Sequence, residues 1–501
     1  MHGKAIKKVV IAGGGTAGWM AAAALSKKLQ GVIEVVLVES DEIGTIGVGE
    51  ATIPPIRGFH KILGIDEQEF MRETSATFKL GISFENWKDV NEDYIHSFGR
   101  TGTGGWTCQF VHFWLHGLQH GFKDDFGEYC YELQAAKQGK FATSPTSEIN
   151  YAYHLDATLY AKYLRSFSES NGLKRIEGKI KQVNQNISTG FIESLMLDCG
   201  TVVEGDLFID CTGFKGLLIE QTLHTGYEDW SHWLLCDSAV AVQTKSSGPV
   251  IPYTRAIARD SGWQWRIPLQ HRTGNGLVYS SNYLSDDRAR EQLLENLDGK
   301  PITEPRLIKY RTGRRLKTWN KNCVALGLSS GFIEPLESTS IYLFLIGVSR
   351  LIQMFPFSGV MPSIVEEYNA QSSRELESIR DFIILHYKVT NREDSAFWRY
   401  CKNMTIPDTL KHRIELFEQS AHLFLRQDEL FRPDSWYQVM LGQGIMPKQY
   451  HEIAATMTES ELKAMLGGIK AKINKVVERM PSHQEFIEHY CHSSSNKKHM
   501  A

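Results

Sequence analysis

The run Val9-Val10-Ile11-Ala12-Gly13-Gly14-Gly15-Thr16-Ala17-Gly18-Trp19-Met20 constrains the fold of this chain more than any other. A β-branched apolar stretch meets three glycines and passes into an alanine-rich segment ending at Leu25, which predicts strand, tight turn and helix. Gly13, Gly15 and Gly18 keep the G-x-G-x-x-G spacing. The first allows the turn, the second lets a pyrophosphate approach the backbone, and the third lets the helix pack closely on the strand. Free N–H groups and the positive dipole end of that helix, from Gly14 through Thr16 and Ala17, suit phosphate oxygens. A second apolar run, 33–38, ends at Glu39, about 20 residues after the turn, where an acid accepts hydrogen bonds from ribose hydroxyls. Residues 5–40 therefore read as a βαβ unit with a dinucleotide site.

The 501 residues allow two to four average domains, or one large α/β body with insertions. With 55 basic and 58 acidic residues the formal net charge is -3, which gives no electrostatic case for nucleic acid or an anionic membrane as partner. No apolar run reaches the ~18 residues that suggest a membrane-crossing helix. The first strand starts too early for a signal peptide to precede it, so a cytoplasmic protein is expected. The eight cysteines are scattered without a C-x-x-C pair, suggesting neither a disulfide framework nor a zinc site. His112, His116 and His120 lack carboxylate or cysteine partners at ligand spacing, so packing and hydrogen bonding are expected of them and no metal is. Of the 11 tryptophans some are expected in the core, and several cluster in a way that suggests a lined cavity.

Further along, 44–55 (GTIGVGEATIPP) is a glycine and proline loop that reads as a strap over a cofactor. Residues 56–74 read as helical, 78–87 as one alternating strand and 151–165 as an amphipathic helix. Short strands are expected at 180–183, 191–197, 201–203 and 206–211, then at 239–243, 263–268, 276–281 and 322–328. From about residue 350 helical spacing dominates, in 372–387, 409–425 and 459–480, with 431–450 an irregular aromatic loop. No repeat and no Ser/Pro-rich linker appears, so the modules interleave.

Six stretches together resemble the flavin-dependent halogenases of the tryptophan-halogenase type, over nearly the whole chain. They are GGGTAGWMAAAAL, VGEATIP, FKLGISFENW, YHLDATLYAKYLR, GWQWRIP and FIEPLESTSIYL. The fifth carries the W-x-W-x-I-P signature as Trp263, Trp265, Ile267 and Pro268. The resemblance implies an α/β fold like that of the FAD monooxygenases, a Rossmann-type βαβ with mixed sheets. Its body would be 1–350, with substrate-side segments interleaved at about 90–165. A mostly helical region, 351–491, would close over the substrate, and 492–501 would be a disordered tail.

It also implies FAD, used as FADH2, and a halide ion: chloride, bromide or iodide. The implied cofactor contacts are Gly13, Gly14, Gly15, Thr16, Ala17, Gly18, Glu39, Ala51, Val183, Leu328 and Ile341. Hypohalous acid, made from halide and oxygen at the reduced flavin, would travel through an internal tunnel to Lys79. That residue stands where the family has its catalytic lysine. Glu337 would assist electrophilic substitution on an aromatic ring, and the backbone of Thr339 and Ser340 would bind halide. Ser340 departs from the glycine of many relatives, which leaves the halide preference open. His96, Phe98, Ser338, Glu337 and Phe431 are the implied substrate contacts, and the two tryptophans would line the region near the flavin or pack in the core.

The physical chemistry fits these residue types. Free hypohalous acid attacks any exposed aromatic, thiol or thioether, so its generation must be separated from its use. Lys79 lies between Phe78 and Leu80 in an apolar strand, and burial shifts a lysine pKa readily. Members acting on free tryptophan have a tyrosine-rich segment before the stacking position, whereas 422–429 here is HLFLRQDE. Another indole, a phenol or pyrrole, or a larger or tethered aromatic is therefore expected. With no second nucleotide fingerprint, FADH2 must come from a separate flavin reductase. A homodimer is compatible with the sequence. The rival readings are a single-component aromatic hydroxylase and a non-catalytic flavin-binding sensor.

Overall fold

Val9 and Ile11 pack to one side of their strand and Val10 and Ala12 to the other, each side into its own apolar cluster. That strand, Lys8–Ala12, lies inside a six-stranded sheet buried on both faces, which explains its continuous apolar run. The computed structural model describes residues 5–43, 49–144 and 147–492. Lys8–Ala12 pairs in parallel with Glu34–Glu39 on one side and Leu207–Asp210 on the other. The chain thus leaves its first strand toward one edge and returns on the opposite edge, which makes this the topological switch point where α/β sheets bind ligands. Cys323–Ala325 and Lys174–Glu177 extend the sheet in parallel.

A second, seven-stranded sheet contains Gly262–Pro268 at its centre and Gly81–Glu85 with Asp93–Ser97 at one edge. A three-stranded sheet joins the two halves: Ala152–Asp156 pairs with Gly49–Ala51 on one side and Thr77–Lys79 on the other. One apolar cluster runs from Ile6 to Cys491, so the C-terminal helices share the core of the α/β body. Among the described residues no helix is long and apolar enough to cross a membrane.

Several expected elements differ. The expected strand 78–87 is two strands, Thr77–Lys79 and Gly81–Glu85, because Leu80 bonds instead to Pro252 O and Phe98 N at 2.7 and 2.9 Å. The expected helix 151–165 starts as the strand Ala152–Asp156 and turns helical at Ala157–Ser170, where the Asp156 carboxylate caps Thr158 and Leu159 N–H. The expected helix 56–74 is two helices, Pro55–Leu63 and Glu67–Glu73, parted by Gly64 at φ 76° and recapped by Asp66. The loop expected at 431–450 contains the helix Pro433–Gly442, whose first-turn proline is a start signal that the aromatic content obscured. The strand Thr254–Arg259 had no counterpart in the sequence reading. Of the strap 44–55, residues 44–48 lie outside the described residues, as do 493–501 of the expected tail.

Candidate active site

The glycine turn has the shape a pyrophosphate needs. Gly13 sits at φ 108°, and a Cβ there would lie 2.3 Å from Cys211 O. A Cβ on Gly18 would lie 1.9 Å from Gly13 O, so only glycine lets this helix sit so close to the turn. Gly15 is different: its Cβ direction is open space, and it caps the helix Thr16–Lys28 with no side-chain hydrogen bond, leaving the first N–H groups free for an anion. Glu39, at the end of the second strand, lies against Gly14 and is held by Arg175 Nε at 2.7 Å. This cradle fits the phosphates and ribose of FAD. Ala17 packs against Gly327, which brings the turn carrying Leu328 to the start of the first helix. Ile341 lies in the first turn of the helix Ser340–Gln353. Ala51 pairs with His154 in the joining sheet. Val183 lies apart from these, in a three-stranded sheet that packs beneath Val10, Ala12, Val36 and Val38.

Lys79 is fully buried at the point where the joining sheet passes into the seven-stranded one. Its ammonium nitrogen donates to Thr52 O at 3.1 Å and Ser338 Oγ at 2.7 Å, with the Phe98 ring centroid 5.2 Å away. Burial lowers its pKa to about 7, against the charge of Glu337, which raises it. Thr77, two residues before Lys79, and Ala51 both pair with His154. The strand Gly49–Ala51 therefore lies two strand spacings, about 10 Å, from the lysine strand.

Glu337 is also fully buried. His96 Nδ1 donates to both of its oxygens at 2.9 Å. His386 Nε2 comes within 2.9 Å of Oε1, but as an ion-pair contact and not an aligned hydrogen bond. Burial alone would raise the Glu337 pKa, but the two histidines outweigh it and hold the carboxyl at about 2. His386 Nδ1 lies 2.8 Å from Phe382 O, which fixes the ring on its helix. Ser338 follows at φ 59°, a left-handed conformation that serine rarely adopts, and this turn presents Glu337 and the Ser338 hydroxyl together. Ser338 thus serves Lys79 directly.

Thr339 caps the helix Ser340–Gln353 without a side-chain hydrogen bond, and its buried hydroxyl has no partner among the described residues. Ser340 is not among the residues with positive φ, so the backbone does not require glycine there. In front of this buried group His96, Phe98 and Phe431 line a cleft of about 1760 Å³. Phe431 stacks on Phe382 with centroids 3.9 Å apart and faces His96 at 6.2 Å.

The signature tryptophans face elsewhere. Trp263, Trp265 and Ile267 alternate along one strand and so share a face of the sheet. Trp263 donates to buried Glu334 at 3.0 Å, and Trp265 lines a small cleft with Gly49 and Gly274. Pro268 closes the strand and its carbonyl accepts from Thr77 Oγ1 at 2.8 Å. His112 packs between His422 and His451, and His116 bonds Tyr450, away from this chemistry. Sequence reasoning missed His386, which sits among Phe382, Ile383 and Leu385 in a long helix and reads as core.

The chain is similar to known proteins over nearly its whole length. The tryptophan halogenase family model matches residues 8–459. The flavin-dependent halogenase Xcc4156 of Xanthomonas campestris superposes with a TM-score of 0.96 at 55% identity, covering 98% of this chain and 99% of its own. The flavin-dependent halogenase BrvH of Brevundimonas sp. BAL3 gives 0.93 at 44%, covering 97% and 99%. The tryptophan 7-halogenase RebH of Lentzea aerocolonigenes is 35% identical, covering 97% of this chain and 99% of its own. These full-length matches place the chain in the tryptophan halogenase family of flavin-dependent enzymes.

Proposed function

We propose that the chain halogenates an electron-rich aromatic ring, indole-type or phenolic, through Lys79 with Glu337 assisting, and that free L-tryptophan is not its natural substrate. Reduced FAD, when bound, would supply two electrons to oxygen, and oxygen would take two more from the halide, giving hypohalous acid, water and oxidised FAD. The cofactor would be held by Gly13 to Gly18, Glu39 and the turn at Leu328, and delivered reduced by a separate flavin reductase.

Thr339 and Ser340 stand at the start of the helix Ser340–Gln353, where backbone N–H groups suit a halide. Lys79, its pKa lowered to about 7 by burial, is partly a neutral amine near pH 7. Such an amine hydrogen-bonds hypohalous acid, or exchanges its N–H for N–halogen with release of water. Either route aims the halogen at a ring held by Phe98, His96 and Phe431. The ring gives up a proton as it takes the halogen. Glu337, held ionised, stabilises the positive ring intermediate and accepts that proton, since such an intermediate is a strong acid.

The observation that carries the reading is the burial of Lys79 beside Glu337, behind the aromatic wall of the cleft. Relatives named as tryptophan halogenases suggest an indole. The missing tyrosines in 422–429 and the size of the cleft favour one presented differently from the free amino acid. The test pairs the protein with a flavin reductase and bromide, chloride or iodide, and screens indoles and phenols by mass spectrometry. A halogenated product that requires both partners is expected. Hydroxylated product formed with NADPH alone and without halide would overturn the reading.

A further inference from the structure

Glu334 is tied to two elements at once. Its Oε2 accepts the Trp263 indole N–H at 3.0 Å and the Tyr387 hydroxyl at 2.9 Å. Trp263 belongs to the strand Gly262–Pro268, and Tyr387 to the last turn of the helix Pro362–Lys388. All three side chains are buried. Burying a carboxyl group costs stability, and an apolar side chain would fill the same space without that cost. What an apolar side chain would not do is join the strand to the helix through one shared oxygen.

The backbone after this joint is one compact turn. Glu334 O accepts Leu336 N–H at 2.9 Å, and Pro335 O accepts Ser338 N–H at 3.1 Å. The turn carries two groups of the reaction side: Glu337, bonded to His96, and Ser338 Oγ, 2.7 Å from Lys79 Nζ. Ser338 stands at φ 59°, a conformation that persists only where its surroundings over-determine it. The helix grips the turn at both ends. Tyr387 holds Glu334, and its neighbour His386 contacts Glu337 Oε1 at 2.9 Å.

Resting on the halogenation reading above, we infer that Tyr387 and Trp263 are positioning residues for halogen transfer: through Glu334 they fix the turn that sets Glu337 and Ser338 against Lys79. The first signature tryptophan then serves the lysine side of the reaction, by its N–H and not by its ring face. Misplacement of a reacting group by ~1 Å costs ~10²-fold in rate, so the joint matters even if it prevents only a small drift.

The test uses the full chain with FAD, a flavin reductase, bromide and free indole. It reads brominated product per reduced FAD consumed, and the pH at which the rate rises. Tyr387→Phe keeps the ring against Trp87 and Trp398 and removes only the hydroxyl. Product per reduced FAD is expected to fall about threefold in that variant, and about tenfold in Glu334→Leu, which has no acceptor. Glu334→Gln retains an oxygen for both donors and should keep most of the wild-type ratio. In Tyr387→Phe and Glu334→Leu the rise in rate should also move to lower pH, because Glu337 and Ser338 favour the charged form of Lys79 and would recede from it. Thermal melting checks that each variant is folded. A lower melting temperature for Tyr387→Phe, with the product ratio and the pH of the rise unchanged, would show that these bonds only hold the core and overturns the positioning role. A loss in Glu334→Gln as deep as in Glu334→Leu overturns it too, since the shared bonds would then not be the cause. Either result leaves the lysine reading standing, whereas no brominated indole from the wild type removes both.

Discussion

Glu334 and Glu337 sit three residues apart, both fully buried, and their pockets drive them in opposite directions. Burial raises the Glu334 pKa to about 7, and the neutral donors Trp263 and Tyr387 only partly offset it. Burial also works against ionised Glu337, but His96 and His386 reverse it and hold the group at about 2. The lesson is that partner charge, not depth, decides which of two buried carboxylates stays ionised. Glu337 is kept ionised beside a lysine that burial has made partly neutral, and Glu334 braces a signature tryptophan.

Glu337→Gln should have the largest effect on this contrast. The rate of halogenation should fall about 10²-fold or more with flavin binding retained, read as kcat on free indole. The rate of the wild type should rise as pH passes through about 7, where Lys79 loses its proton. Glu337 raises the Lys79 pKa, so in the variant the remaining rise should move to lower pH.

His386→Gln should cost less, about tenfold in kcat, because His96 still holds Glu337 in place; comparison of kcat with KM separates this from lost substrate binding. The smallest effect belongs to Glu334→Gln, read as thermal stability against pH. A raised folded pKa means the native state binds the extra proton between pH 4.5 and about 7, so Glu334 makes the wild type less stable as pH rises through that window. Glutamine should remove that slope. Glu337 has the opposite sign: its stabilisation is present above pH 4.5 and lost as pH falls toward about 2.

The cofactor side was legible because its parts are contiguous. Strand, three glycines and helix follow one another, and each glycine's role is a local backbone fact. The reaction side was legible only through the family resemblance, since Lys79, Glu337, His96 and Phe431 come from four distant segments. His386 gave no signal, because a histidine among Phe382, Ile383 and Leu385 has the spacing of a packed helix face. The left-handed Ser338 was hidden too, since nothing in Leu-Glu-Ser-Thr requires positive φ. Pro433 was a signal left unused: proline followed by aspartate at a helix start could have found the helix Pro433–Gly442 that follows Phe431.

The most direct test of the account is Lys79→Met, assayed for halogenated product and for halide-dependent consumption of reduced FAD in the same reaction. Product should fall about 10³-fold or more while consumption of reduced FAD continues, and the released hypohalous acid should be captured by an added trap. Halogenated product formed at the wild-type rate by the methionine variant would contradict it.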